Sequence, residues 1–194
     1  MVYYYLGAQL PYLVYGQKPP MSSASFKALA SEQMSSKDAA LLDFCTLDPD
    51  PALNPAGSSP ASGTAYAELA SRTPSAFINS WKEWERALRL NLARNRAIKL
   101  KREDAFEAPG FPSDAVSAAK NAAALESPLE AEIFLDRARW DAIEDFQGLN
   151  TFSENAMYAY LLKLLLMERR KAFDIEEGYT EYERLYAAIL GEPK

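Results

Sequence analysis

The residue types that most often carry catalysis are scarce in this 194-residue chain, which has no histidine and a single cysteine. Without histidine, the chain lacks the commonest general base and the usual partner of a serine or cysteine nucleophile. The usual zinc and non-haem iron sites are lost as well, because one cysteine does not supply the remaining ligands. We therefore expect no catalytic residue, no metal site and no cofactor, and predict that the protein is not an enzyme.

Two segments with a superficial likeness to reactive sites are better interpreted as turns. Asp48 and Asp50 are a candidate pair of carboxylates, but Asp-Pro in a proline-rich stretch is typical of a turn. Residues 57–64 have five residues between two glycines, no following lysine and no preceding strand, so they do not form a phosphate loop. An enzyme that uses carboxylates alone would need a cleft lined by two or more acidic residues with raised pKa values.

Cys45 ends the apolar run 41–45, where a small buried hydrophobe is the expected role. The alternative, a reactive thiol, lacks a histidine that would lower its pKa. One unpaired cysteine also fits a reducing compartment.

Helix-start signals recur along the chain. Ser127 and Glu130, and again Thr180 and Glu183, have the capping-box spacing, whereas strand signals are sparse. The opening residues 2–15 suit either a short helix broken at Pro11 or a strand-like arm. Helices are predicted near residues 23–33, 36–47, 75–103, 114–125, 128–147, 154–173 and 180–190.

The predicted fold is therefore all-α, a helical bundle with a small amino-terminal helical part. We divide it into an amino-terminal helical segment (residues 1–47), a linker rich in proline, glycine and serine (48–72) and the main bundle (73–194). The most apolar stretch, residues 156–167, is shorter than the roughly 20 residues of a membrane span, and the amino terminus has no signal-peptide pattern. A soluble, cytoplasmic protein is expected.

The predicted helix 75–103 carries an aromatic stripe and a surplus of positive charge. The stripe has the three- and four-residue spacing of one helix face and comprises Phe77, Trp81, Trp84, Leu88, Leu92 and Asn95. We expect both tryptophans in the core, whereas exposed tryptophans would mark a partner site.

Residues 82–102 contain eight basic and two acidic residues, in a chain whose net charge is −6. Three interpretations remain open. The cations form a solvated face or salt bridges to the acidic stretch Glu126–Asp145, or they bind acidic proteins, or they bind nucleic acid, which the acidic surroundings oppose.

The predicted helix 154–173 is apolar almost all round up to Met167, as in a helix at the centre of a bundle. It then becomes charged at Glu168, Arg169 and Arg170, where cations favour a helix carboxyl terminus. For these three residues a structural role and a partner-binding role both remain open.

Three segments carry a resemblance to a known family, in the same order along the chain. They are residues 3–11 (YYYLGAQLP), residues 34–42 (MSSKDAALL) and residues 84–97 (WERALRLNLARNRA). They resemble a little-characterised bacterial family that is encoded among V-type ATPase subunit genes. That family is distantly similar to the C-type subunit of V/A-type ATPases (d-type in eukaryotes). Residues Tyr3 to Ala8 fit the opening stretch of that all-helical protein, and its leucine-rich helices end in glutamate and arginine, as Leu161 to Arg170 do here.

The resemblance implies a truncated relative of the C-type subunit, because that protein has three similar helical lobes in a longer chain. It implies a non-catalytic accessory or central-stalk subunit for ion or proton transport, cytoplasmic and peripheral to the inner membrane through the complex. Its partners would be other ATPase subunits, in the central stalk and membrane ring. Under this hypothesis Arg89, Arg94, Arg96, Arg169 and Arg170 contact neighbouring subunits. The alternative is a helical adaptor that binds acidic partners or nucleic acid through residues 82–102.

Overall fold

The structure, a computed structural model, describes residues 2–47, 73–101 and 108–171. Helices make up 72% of these residues, and the described part has no strand, only an isolated antiparallel bridge between Val2 and Ser153. The all-α prediction is confirmed. The helices are α1 (Tyr4–Gln9), α2 (Ser23–Gln33), α3 (Ser36–Leu41), α4 (Ala76–Lys99), α5 (Ser113–Ala124), α6 (Pro128–Gln147) and α7 (Glu154–Lys171), with a 3-10 turn at Leu42–Phe44 after α3.

Serine side chains start most of these helices. Ser127 Oγ accepts from the backbone N–H of Glu130 at 3.3 Å, as the capping box predicts, and Pro128 occupies the first turn. Ser22, Ser35 and Ser75 cap α2, α3 and α4 in the same way. Since these caps are local, the predicted starts agree with the structure to within one residue.

Helix ends depart further from the predictions. The helix expected over 36–47 stops at Leu41 and tightens into the 3-10 turn. The helix expected to reach 103 ends at Lys99, because Lys101 adopts a positive φ of 52° that closes the last turn. Residues 2–15 contain the short helix α1, which stops before Pro11.

The core is built around α7, which packs against α2, α4 and α6. Tyr158, Leu161, Leu162 and Leu164 are fully buried, as the all-round apolar pattern predicts. Trp81 and Trp84 are each 1% exposed and stack with ring centroids 5.9 Å apart. The tryptophans are therefore core residues.

Ring and ion-pair contacts give the direction of the long helices. Phe77, at the start of α4, lies 6.2 Å from Tyr158, near the start of α7. α7 in turn runs antiparallel to α6, since Lys163 pairs with Glu144 and Arg169 with Glu132. Further along α4, Glu85 pairs with Arg139, which lies on α6 between Glu144 and Glu132, so the carboxyl ends of α4 and α7 point to the same end of the bundle.

The amino-terminal segment packs on this bundle and shares its core. Phe26 and Leu42 belong to the same buried cluster as Trp84 and Leu161. No helix in residues 2–47, 73–101 or 108–171 is long and apolar enough to cross a bilayer. The predicted linker at 48–72, with its Asp48–Asp50 pair and its glycine segment, and the predicted helix at 180–190 lie outside the described residues.

Candidate protein-binding surface

A charge network joins α4, α6 and α7, and its centre, between α4 and α6, is buried. Arg139 on α6 contacts Glu85 on α4 through two hydrogen bonds, at 3.0 and 3.1 Å, and contacts Asp136 at 3.2 Å. All three side chains are at most 7% exposed. Such charges remain stable in a core only when each has a partner, and here each one does.

The network extends to two of the arginines that the sequence singles out. Arg89 donates to Glu85 at 2.6 Å and to the backbone carbonyl of Leu47 at 2.6 Å. Arg169 pairs with Glu132 at 2.9 Å. The network has no net charge, because its three cations (Arg89, Arg139 and Arg169) balance its three carboxylates (Glu85, Glu132 and Asp136).

Burial and the neighbouring charges shift the pKa values of the network in opposite directions. Burial raises the pKa of Asp136, while the positive charges of Arg169 and Arg139 work against that rise. Burial alone would lower the pKa of Arg139, but Glu85 and Asp136 outweigh it and raise the pKa. The guanidinium is therefore held in its charged form.

The charged triplet at the end of α7 holds three different parts of the chain. Glu168 accepts two hydrogen bonds of 2.7 Å from the backbone N–H and the hydroxyl of Ser23, at the start of α2. Arg169 reaches α6, and the Arg170 guanidinium lies 5.0 Å from the ring centroid of Tyr15. These contacts give all three residues an internal structural role.

Arg94 and Arg96 lie in a different environment, at the carboxyl end of α4. Leu92 is the last buried residue of this helix, and the following residues are exposed or half-buried. We call residues 93–101 the basic end; its cations are Arg94, Arg96, Lys99 and Lys101, all of them exposed. Within the described ranges no carboxylate forms an ion pair with any of these four.

The basic end also exposes apolar side chains, since Ile98 is 55% and Leu100 is 66% exposed. Cations combined with exposed aliphatic groups on a projecting helix end are a typical composition for a protein-binding surface. By contrast, Lys82 lies 5.0 Å from the ring centroid of Phe44, against the body of the protein.

No family model, curated protein or solved structure matches this chain. Of the five predicted arginines, Arg89, Arg169 and Arg170 make internal contacts, whereas Arg94 and Arg96 present their charge to solvent.

The buried centre of the network, Glu85 with Arg139 and Asp136, was not predicted from the sequence. Salt bridges from basic residues of α4 to acidic residues of α6 were part of one open interpretation, but the buried bridge has the opposite polarity, with its acid on α4 and its base on α6. The four-residue spacing of Glu85 and Arg89 was a visible signal. Arg139 also lies on the apolar face of α6, four residues after Leu135 and four before Ile143, but its charge argued against burial.

Proposed function

We propose that this chain is a non-catalytic accessory or central-stalk subunit of a bacterial V-type ATPase, similar to the C-type subunit, which couples or assembles the soluble and membrane sectors. The observation that carries the proposal is the basic end of α4, which projects four exposed cations from a chain of net charge −6. The resemblance of residues 3–11, 34–42 and 84–97 supplies the kind of complex. In this proposal the protein is cytoplasmic and reaches the inner membrane only through its partners.

A coupling protein has to transmit force through helices that do not slide past one another. The charge network supports such a role, because the buried pair Glu85–Arg139 fastens α4 to α6, and the partly exposed pair Arg169–Glu132 fastens α7 to α6. Directional hydrogen bonds fix the register of these helices in a way that apolar contacts alone do not. The basic end then offers a rigid attachment point.

The experiment is a tagged purification of the native protein from membranes, followed by mass spectrometry. We expect ATPase subunits to be recovered with the wild type and lost with the double variant Arg94→Glu/Arg96→Glu. The matched control is Lys18→Glu/Lys120→Glu, which makes the same change in net charge at exposed positions of the loop after α1 and of α5. Recovery of no ATPase subunit with the wild type, under repeated gentle conditions, contradicts the proposal.

The alternative is a helical adaptor unrelated to ATPases that binds acidic partners or nucleic acid through residues 82–102. The same exposed cations favour it. Binding to a nucleic acid would weaken steeply with salt, because counterions are released from the phosphates, and Arg94→Glu/Arg96→Glu would abolish it. A lack of binding at low salt rules out the nucleic-acid version and leaves acidic proteins as the partners.

A further inference from the structure

Helix α4 continues past the core, and its last residues are exposed even on the side that faces the core earlier in the helix. Leu92 is the last buried residue. Lys99 comes seven residues later and lies on the same side of the helix, because seven residues make almost two turns, yet it is exposed. The basic end (residues 93–101) therefore extends beyond the side chains that cover the rest of α4. From Leu92 to Leu100 the helix advances about 12 Å.

The cations of the basic end are spread around the helix axis. At about 100° per residue, Arg94 and Arg96 lie about 200° apart, and Lys99 lies between them on the core-facing side. None of the ion pairs within the described ranges involves these three cations. Together they outweigh the negative pole of the helix dipole, which amounts to about half an elementary charge. The basic end therefore attracts acidic groups from more than one side.

Aliphatic side chains accompany the cations on two sides of the helix. Ile98 follows Arg94 by one turn, Leu100 follows Arg96 by one turn, and both aliphatic residues are more than half exposed. The helical hydrogen bonds include Leu100, whose backbone N–H donates to the carbonyl of Arg96 at 3.0 Å. Two nearly opposite sides of the basic end thus each carry an arginine beside an aliphatic group. A ligand that covered only one side would leave the other in water.

We propose that the basic end inserts into a concave, acidic site of a partner protein. Carboxylates around that site pair with Arg94, Arg96 and Lys99, and apolar groups inside it contact Ile98 and Leu100. A nucleic-acid backbone would neutralise the cations but leave both aliphatic side chains in water, which favours a protein. The insertion rests on the proposed function in that the basic end is the attachment point, and it adds the shape and charge of the receiving site.

The test introduces a photo-crosslinking side chain, p-benzoylphenylalanine, in place of Ile98 or of Leu100 in the full-length protein in cells. We expect both positions to crosslink to the same polypeptide, since a concave site contacts both sides of the helix. The crosslinked peptides should contain more aspartate and glutamate than lysine and arginine. Leu125, an exposed aliphatic residue at the end of α5, is the control position and should not crosslink to that polypeptide.

A second measurement separates apolar contact from charge. Ile98→Ser/Leu100→Ser keeps every cation of the basic end and should lower the recovery of that polypeptide in a tagged purification about tenfold, because two buried aliphatic contacts are lost. Leu125→Ser/Leu129→Ser, at two exposed positions outside the basic end, should leave the recovery unchanged. A ligand held by charge alone, such as a nucleic acid, would be recovered equally with both variants.

Crosslinks from only one of the two positions, to two different polypeptides or to none overturn the proposal. A product that nuclease removes, a crosslinked surface without an excess of acidic residues, or undiminished recovery with Ile98→Ser/Leu100→Ser has the same consequence. The identity of the crosslinked polypeptide tests the proposed function separately. A protein other than an ATPase subunit would contradict that function and still support insertion into an acidic site.

Discussion

The guanidinium of Arg139 lies in the core between the carboxylates of Glu85 and Asp136, and only 3% of the residue's surface is exposed. A buried ion pair adds little to stability by itself, because desolvation offsets most of the attraction. Removing Arg139 is different, since it leaves Asp136 buried without its ion-pair partner and Glu85 with Arg89 alone. The network therefore makes the fold sensitive to single substitutions at these buried positions.

Replacing Arg139 with methionine should lower the free energy of unfolding by about 3–5 kcal/mol, because Glu85 loses two hydrogen bonds and Asp136 loses its partner. Urea denaturation followed by circular dichroism measures the loss. The matched control is Arg137→Met, whose side chain is 54% exposed and which should cost at most about 1 kcal/mol. A similar loss in both variants would argue against a special role for the buried network.

Cys45 gives a pH-dependent prediction. Burial raises the pKa of its thiol to about 12, whereas the pKa in an unfolded chain is about 8.5. Between these two pKa values the unfolded chain loses the proton and the folded chain keeps it, so stability falls as the pH rises. The free energy of unfolding of the wild type should fall by about 1 kcal/mol per pH unit more than that of Cys45→Ala between about pH 9 and 11. Parallel curves for the two proteins would contradict this.

At the level of single residues, the sequence predicted apolar environments better than charged ones. The spacing of Trp81 and Trp84 put both on one helix face, and both are buried. Cys45, in an apolar run, is buried as expected. The burial of Arg139 was missed, because a charged residue is assumed to face solvent unless its partners are known, and Glu85 lies 54 residues away in the chain.

Among the helices, α2 begins with a cap that comes from another element. Glu168 on α7 accepts from the backbone and hydroxyl of Ser23, in addition to the local cap from Ser22. A carboxylate at this position also interacts favourably with the positive end of the α2 dipole. The start of α2 is thus stabilised by both local and long-range contacts.

Glu168→Ala should lower the free energy of unfolding by about 1–2 kcal/mol and speed hydrogen exchange in the first turns of α2. Chemical denaturation and exchange mass spectrometry provide the two measurements. Glu32→Ala, at an exposed position of α2 itself, should change neither. Unchanged exchange in α2 of Glu168→Ala would show that the local cap suffices.

Gly7 is where α1 approaches the turn before α7. A Cβ at this position would lie 2.7 Å from Cδ1 of Phe152, too close for the ring to stay in place. Gly7→Ala should therefore destabilise the protein by about 1 kcal/mol, although alanine normally favours a helix. Gly110→Ala, where the added methyl meets no atom within 4 Å, should be neutral or slightly stabilising. Thermal unfolding measures both variants: the melting temperature should fall for Gly7→Ala and stay the same or rise slightly for Gly110→Ala.

The helix starts were predictable because serine caps act over three residues. The ends were less so. Helix α3 ends where the chain tightens into a 3-10 turn. Helix α4 ends because Lys101 adopts a positive φ. The candidate site was also predicted only in part. Composition pointed to Arg94 and Arg96 as partner-binding residues, but their exposure follows from how far α4 continues past Leu92, its last buried residue.

For the whole molecule, the main consequence of the fold is that the amino-terminal segment and the bundle do not have separate cores. Trp81 donates to the carbonyl of Thr46 at 3.1 Å, and Tyr158 donates to that of Asp38 at 3.3 Å. The relative directions of α4, α6 and α7 also arise only at this scale. Helical periodicity contains no information about them.

A chain cut at an engineered protease site within residues 48–72 should therefore remain one particle. Size-exclusion chromatography should show the two fragments eluting together, because separating them would expose the faces of α2 and α7 that pack on each other. An uncleaved sample serves as the reference. Separate elution of two folded fragments would mean that the shared core is dispensable.

The three side chains at the end of α7 also restrict how this helix can evolve. Each residue added to an α-helix turns everything beyond it by about 100° and advances it by about 1.5 Å. A single alanine inserted after Met167 would swing Glu168, Arg169 and Arg170 away from Ser23, Glu132 and Tyr15 simultaneously. Insertions and deletions upstream of the triplet should consequently be rejected, even where substitutions are tolerated.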